Sequence, residues 1–285
     1  MTLNYASTNA ASCTLSAAPA FWTGSNPASL RCRGSYSFTV SAANASRQWT
    51  FQFTARNHYG QVVSSAGSLV QQAPPGPPVR QHLSNNWSGW AVENGPYTDV
   101  RGTFNVPNLF ASVGGSDTTE WVGIDGATNS SLIQAGIHEE YNPSVGGVCI
   151  WAWWEVLPAP ETQISGMVVA PGNQVTVQIF QVSGSVCGLT VVDNSTGQSF
   201  GTEVIDTGPG TSAEWIVEAP PLISGVLPFG DYTPAVTFSN LGVNGTLAAY
   251  DQIFMVQGGV VVSSPSALDP NGFTVAYGPT APPPP

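Results

Sequence analysis

The chain of 285 residues contains no lysine; its only cations are six arginines and three histidines. Seventeen Asp and Glu oppose them, leaving a formal charge of −11 and a pI near 4.3. So acidic a chain has no electrostatic footprint for a phosphate backbone, which excludes nucleic acid as a partner. Charged residues make up 8% of the chain, against about 25% in an average soluble domain. No apolar run approaches the ~18 residues of a membrane-spanning helix. No stretch holds a helical period over three turns. The four cysteines show neither CxxC nor Cys/His spacing, so no metal site and no cofactor are expected.

Several catalytic devices lack their parts. A serine triad needs a base, and an imidazole would be protonated in acid; no nucleophile elbow between strand and helix is apparent. His138-Glu139-Glu140 is not the HExxH of a zincin. The paired Asp-Thr-Gly or Asp-Ser-Gly settings of aspartic proteases do not occur as a pair, and a phosphate-cradling loop of the P-loop type is absent.

What is present is apolar and turn-rich. Hydrophobic residues are 42% of the chain, with Trp 9, Phe 12 and Tyr 8, so a sizeable core can form. Gly 31 and Pro 24 punctuate it, as many short strands require. Residues 1–80 hold five of the arginines and no acid, a balance of +5, while 81–285 balance at −16. In acid the side-chain charge cannot exceed +9, six Arg plus three His. Limited accumulation of positive charge limits acid unfolding, so the chain reads as built for acidic, extracellular surroundings. Met1-Thr-Leu-Asn4 lacks the features of a signal peptide, which suggests a processed or recombinant form of an exported protein. Of three possible disulfide connectivities, Cys13–Cys32 with Cys149–Cys187 is the simplest.

The Pro-rich stretch 72–80 reads as a linker. Before it, 1–71 form a small β-module, with alternation over Ser35–Val40 and Trp49–Ala55. After it, 81–278 carry strand-like runs at Arg101–Val106, Glu120–Ile124, Ser131–Ile137, Val148–Val156, Gln174–Phe180, Ala213–Glu218, Ala235–Phe238 and Phe273–Tyr277. The fold class is all-β, a sandwich or barrel. The tail 279–285 has nothing to pack against. Alternation groups Glu214, Ile216 and Glu218 on one face, Leu132, Gln134, Gly136 and His138 on another, and Cys149, Trp151, Trp153 and Glu155 on a third. Together these suggest a polar, aromatic-lined concave surface.

Seven motifs in order carry a family resemblance. They are Asn85-Asn86-Trp87-Ser88-Gly89-Trp90, Gly102-Thr-Phe-Asn-Val-Pro107, Glu120-Trp-Val-Gly-Ile-Asp-Gly126, Leu132-Ile-Gln-Ala-Gly136, Trp153-Trp-Glu155, Thr196-Gly-Gln-Ser-Phe200 and Ala213-Glu-Trp-Ile-Val-Glu-Ala-Pro220. Over roughly 84–278 the chain resembles the glutamic peptidases, the eqolisins. The resemblance implies a β-sandwich of two curved antiparallel sheets, concanavalin-like, and a pepstatin-insensitive acid endopeptidase acting on polypeptides. Its catalytic pair falls on Gln134 and Glu214. Glu214 would serve as general base on water, and Gln134 as a non-titrating oxyanion donor; Glu218, on the same strand face, is the alternative base. Trp87, Ser88, Thr119, Trp121, Asp125, Gly136 and Glu155 fall on substrate-binding or supporting positions, while His138 stands where some members carry Asp. The +5 segment fits either a propeptide docking on the acidic domain or an accessory module, and a monomer is expected. Rival readings are a carbohydrate-binding sandwich and a glycosidase using Glu155 and Glu214.

Overall fold

The computed structural model describes residues 2–6, 10–18, 28–37, 48–60, 62–70, 79–110, 116–222, 225–226, 228–244 and 249–285, and among these no residue is helical. They fall into two compact units, 1–76 and 77–285. In the smaller, β1 (Thr2–Ala6), β2 (Ser12–Ala18), β3 (Ala28–Leu30), β4 (Arg33–Ser37), β5 (Gln48–Arg56) and β6 (Val62–Val70) form a β1-β4 pair and an antiparallel sheet of order β3-β2-β5-β6. Alternation along β2 buries Cys13, Leu15 and Ala17, and Phe51 and Ala55 of β5 are buried with them. A Cys13–Cys32 disulfide ties this unit. Residues 38–40 of one expected strand, and 72–78 of the Pro-rich stretch, lie outside the described residues.

The larger unit opens with β7 (Val79–Ser84), so the last two residues of the expected linker already belong to a strand. There follow β8 (Trp87–Glu93), β9 (Asp99–Asn105), β10 (Asn108–Leu109), β11 (Asp117–Ile124), β12 (Ile133–Asn142), β13 (Gly147–Val156) and β14 (Thr162–Gln163). Next come β15 (Gln174–Ser183), β16 (Val186–Asp193), β17 (Ser199–Ile205), β18 (Ser212–Glu218), β19 (Pro221–Leu222), β20 (Gly225–Val226) and β21 (Tyr232–Thr233). The series ends with β22 (Val236–Val243), β23 (Ala249–Gln257), β24 (Val260–Pro265) and β25 (Phe273–Tyr277).

One hydrogen-bonded path runs β14-β13-β12-β11-β18-β8-β23-β24-β25-β22-β9-β15-β16-β17, with β7 added in parallel to β23. The path folds back on itself, so β11, β12 and β18 lie over β9, β15, β16 and β22. Val122, Ile133, Ile137 and Trp215 of the first layer meet Phe104, Val177, Ile179, Leu189 and Phe238 of the second in the interior. The fold is therefore the expected β-sandwich. Close approach between strands needs glycine at Gly136, where a Cβ would lie 2.0 Å from the Glu120 carbonyl oxygen. At Gly89 (φ 152°) a Cβ would lie 2.2 Å from that of Trp215.

Two expectations are corrected. Cys149 and Cys187 are both free. Cys187 packs toward the interior from β16, whereas alternation on β13 turns Cys149 to the opposite, outer face of the other layer, so a sheet stands between them. The tail is also held, since Thr274 Oγ1 donates to the Pro283 carbonyl at 2.6 Å.

Candidate active site

Register converts the outer face of the first layer into ordered rungs. Across β13, β12, β11, β18, β8, β23 and β7, the residues Glu155, Gln134, Gly123, Glu214, Ala91, Asp251 and Arg80 lie side by side. One step along the strands, Trp153, Gly136, Trp121, Ile216, Gly89, Ile253 and His82 form an apolar rung. Beyond it stand Trp151, His138, Thr119, Glu218 and Trp87. Residues from all these rungs line a groove of about 710 Å³ that crosses the strands from β13 to β7.

The first rung holds the expected pair. Gln134 and Glu214 flank Gly123, where a Cβ would lie 2.9 Å from the Trp121 ring and 3.1 Å from the Leu132 side chain, so only glycine lets these side chains pack between the pair. Gln134 Nε2 donates to Glu155 Oε2 at 2.7 Å, and its Oε1 is buried without a partner. Glu214 is wholly buried, and neither carboxyl oxygen makes a well-formed hydrogen bond. Burial pushes its pKa well above the usual range; the nearby Ser212 hydroxyl and Ala127 N–H oppose that shift, and the Asp125 charge adds to it. Burial also raises Glu155, against the hydrogen bond from Gln134.

Glu218, the alternative base, is already engaged. Trp121 Nε1 donates to Oε2 at 2.7 Å and Asn86 Nδ2 to Oε1 at 2.8 Å. Burial lifts its pKa to about 7 despite these bonds. It is thus a fixed acceptor that orients Trp121, whose ring meets Trp87 edge-on with centroids 5.0 Å apart. His138 lies against Trp151, ring centroids 4.3 Å apart and planes tilted by 33°, with Nδ1 3.1 Å from Glu161 and Nε2 3.8 Å from Asp117. Burial works against its charge, but the two carboxylates prevail and raise its pKa to about 9.

Gly136, Thr119 and Trp87 share this face with the pair. Two other expected residues do not. Ser88 sits in register with Val217 on the interior side, wholly buried. Asp125, at φ 70°, accepts from Gly210 N, Thr211 N and Asn129 Nδ2 at 2.7–2.8 Å. It anchors the loop that leads into β18 and so fixes where the strand that carries Glu214 begins. The same loop carries an Asp-Thr-Gly tripeptide, 206–208, in which Asp206 Oδ1 accepts from Gly208 N at 3.0 Å and closes a turn. Gly197–Gly201 has GxSxG spacing, yet Ser199 opens β17 of a hairpin with β16 and no helix follows. Asp251 and His82 were not anticipated, although the alternation of Tyr250-Asp-Gln-Ile-Phe254 marks a strand that would present Asp251 and Ile253 on one face.

The model of the peptidase A4 family matches residues 85–277. The chain belongs to the peptidase A4 family. Aspergillopepsin-2 of Aspergillus niger is 30% identical over 186 residues, covering 57% of this chain and 65% of that protein. The match thus spans just under two thirds of that relative. A crystal structure of scytalido-glutamic peptidase with a transition-state analogue inhibitor superposes with a TM-score of 0.60 at 22% identity, over 68% of this chain and 98% of that one. SCP-B, an eqolisin solved with the tripeptide Ala-Ile-His, gives 0.55 at 21% identity, with the same shares of each chain. These two likenesses show the A4 sandwich fold. The A4 match begins at residue 85, one residue after β7 ends.

Proposed function

We propose that the chain is an acid-active, pepstatin-insensitive glutamic endopeptidase, exported to acidic surroundings and acting as a monomer on polypeptides. The observation that carries this reading is the placement of Gln134 and Glu214 on either side of Gly123, on one rung of the sheet face that bears the groove, with Gln134 in the groove lining and Glu214 buried beneath it. In the empty groove, burial favours the neutral form of Glu214. A water bound beside it donates to one of the two unpartnered oxygens, which favours the carboxylate. Glu214 then takes a proton from that water as it attacks the scissile carbonyl, and returns it to the leaving amine. Gln134 has one N–H on Glu155 and the second free for the developing oxyanion.

The ladder of the groove floor is already paired, so a substrate crossing it is held by side chains rather than by added β-pairing. The +5 segment within 1–80 supports a docking or accessory role for the N-terminal unit, as propeptide or retained module. The test is digestion of denatured protein at about pH 3–4 with pepstatin present. Cleavage by the parent chain and its loss in Glu214→Gln and in Gln134→Ala is expected; full activity in either variant overturns the assignment.

A further inference from the structure

The catalytic pair is not central in its groove. Gly123 lies on β11, with three strands on one side (β12, β13, β14) and four on the other (β18, β8, β23, β7). At ~4.8 Å per strand, the short side extends about 14 Å and the long side about 19 Å. An extended peptide at ~3.4 Å per residue fills these with about four and about five to six residues.

The long side ends on β7, which lies outside the family-matched span yet contributes His82, Leu83 and Ser84 to the groove wall. This end is electrostatically closed on itself. Asp251 accepts from Arg80 Nε at 2.8 Å and Nη2 at 3.0 Å, and lies 3.1 Å from His82 Nε2, while Arg80 also pairs with Glu93. What it offers a ligand is apolar: Ile253, in register with His82 on the groove face, and Leu83, 74% exposed, one residue further along β7 in the groove wall.

Building on the peptidase reading, we infer that β7 and β23 form a distal subsite for an apolar side chain of an extended polypeptide, about five to six residues from the scissile bond on one side only. Remote contacts of this kind act through transition-state binding and so appear in kcat/KM.

The test uses the full chain, preincubated in acid, and two nested series of fluorogenic peptides lengthened one residue at a time toward either end. On one side kcat/KM should stop rising at about four residues. On the other it should continue to five or six, gaining on the order of tenfold when the last residue is Leu or Phe rather than Gly. The doubly substituted His82→Ala, Leu83→Asp chain should lose that late gain, leaving less than about twofold. Equal saturation on both sides, or the full gain in the double variant, overturns the subsite. Failure of the underlying reading looks different, because then no peptide is cleaved or Glu214→Gln cleaves as well as the parent.

Discussion

Gln134 donates one amide hydrogen to Glu155 at 2.7 Å, from the neighbouring position on the next strand. This bond decides which way the amide faces. With Nε2 committed to Glu155, its remaining hydrogen is directed by the amide plane, and Oε1 cannot take its place.

Removing the acceptor should therefore disorder the donor. Glu155→Ala is expected to lower kcat by about 10–100-fold with a smaller change in KM, the usual mark of an interaction made in the transition state. Glu155→Gln keeps an oxygen that can accept and should recover much of the loss. Steady-state kinetics of the three proteins on one peptide check this; equal kcat in parent and alanine variant would sink it.

Gly123→Ala tests the packing between the pair. A Cβ there would meet the Trp121 ring at 2.9 Å and the Leu132 side chain at 3.1 Å. Overpacking of this kind costs about 1–3 kcal/mol, so a lower Tm should accompany an activity loss of at least tenfold. Thermal denaturation and peptide cleavage at the same pH would show both.

Stability should fall as the solution becomes neutral. Glu120 and Glu139 face the interior on β11 and β12, wholly buried, and neither oxygen of Glu139 has a partner. Burial raises Glu120 to about 8 and Glu139 well above the usual range, with the Glu120 charge adding to the latter. Folded pKa values above the unfolded 4.5 mean that the protonated forms favour folding. Their contribution is complete below about pH 4.5 and is lost progressively as pH rises toward 8. Glu120→Gln mimics the protonated acid. It should raise Tm at pH 7, by on the order of 3 kcal/mol in stability, and change little at pH 3.5. Calorimetric scans at the two pH values distinguish this from a uniform packing effect.

Thiol chemistry provides a check on the cysteines. Cys149 and Cys187 are free, and Cys13 and Cys32 are bonded. Alkylation of the unfolded, unreduced chain followed by mass analysis should label Cys149 and Cys187 and leave Cys13 and Cys32 intact. A linked Cys149–Cys187 peptide would contradict the placement of those residues on different faces.

The alternating strands of the groove wall were legible in the sequence because their two faces meet different surroundings. Glu214 and Trp215, or Gln134 and Ala135, each divide between groove and interior. Alternation failed where both faces are occupied or both are wet. β16 joins Val191 and Val192 and places Gly188 where a Cβ would lie 2.5 Å from the Phe180 ring, so no polar beat marks it. β7 exposes Val79, Arg80, His82 and Leu83 alike and merges in composition with the Pro-rich stretch before it. The interior carboxyls stayed hidden for the converse reason: on a strand, an acid is expected at the solvent face, and nothing local tells that Glu120 and Glu139 point inward. Of the two expected disulfides, Cys13–Cys32 is present and Cys149–Cys187 is not, because sequence distance says nothing of which side of a sheet a cysteine occupies.

The groove crosses its strands instead of following them, and the two lattices involved do not match. Strands recur every ~4.8 Å and residues of an extended peptide every ~3.4 Å, so they come back into step only after about seven residues and five strands. Substrate and floor therefore meet like the two scales of a vernier. Full alignment is available near one position at a time and is lost on either side. A surface of this kind can place one peptide bond accurately while staying tolerant of the neighbouring sequence.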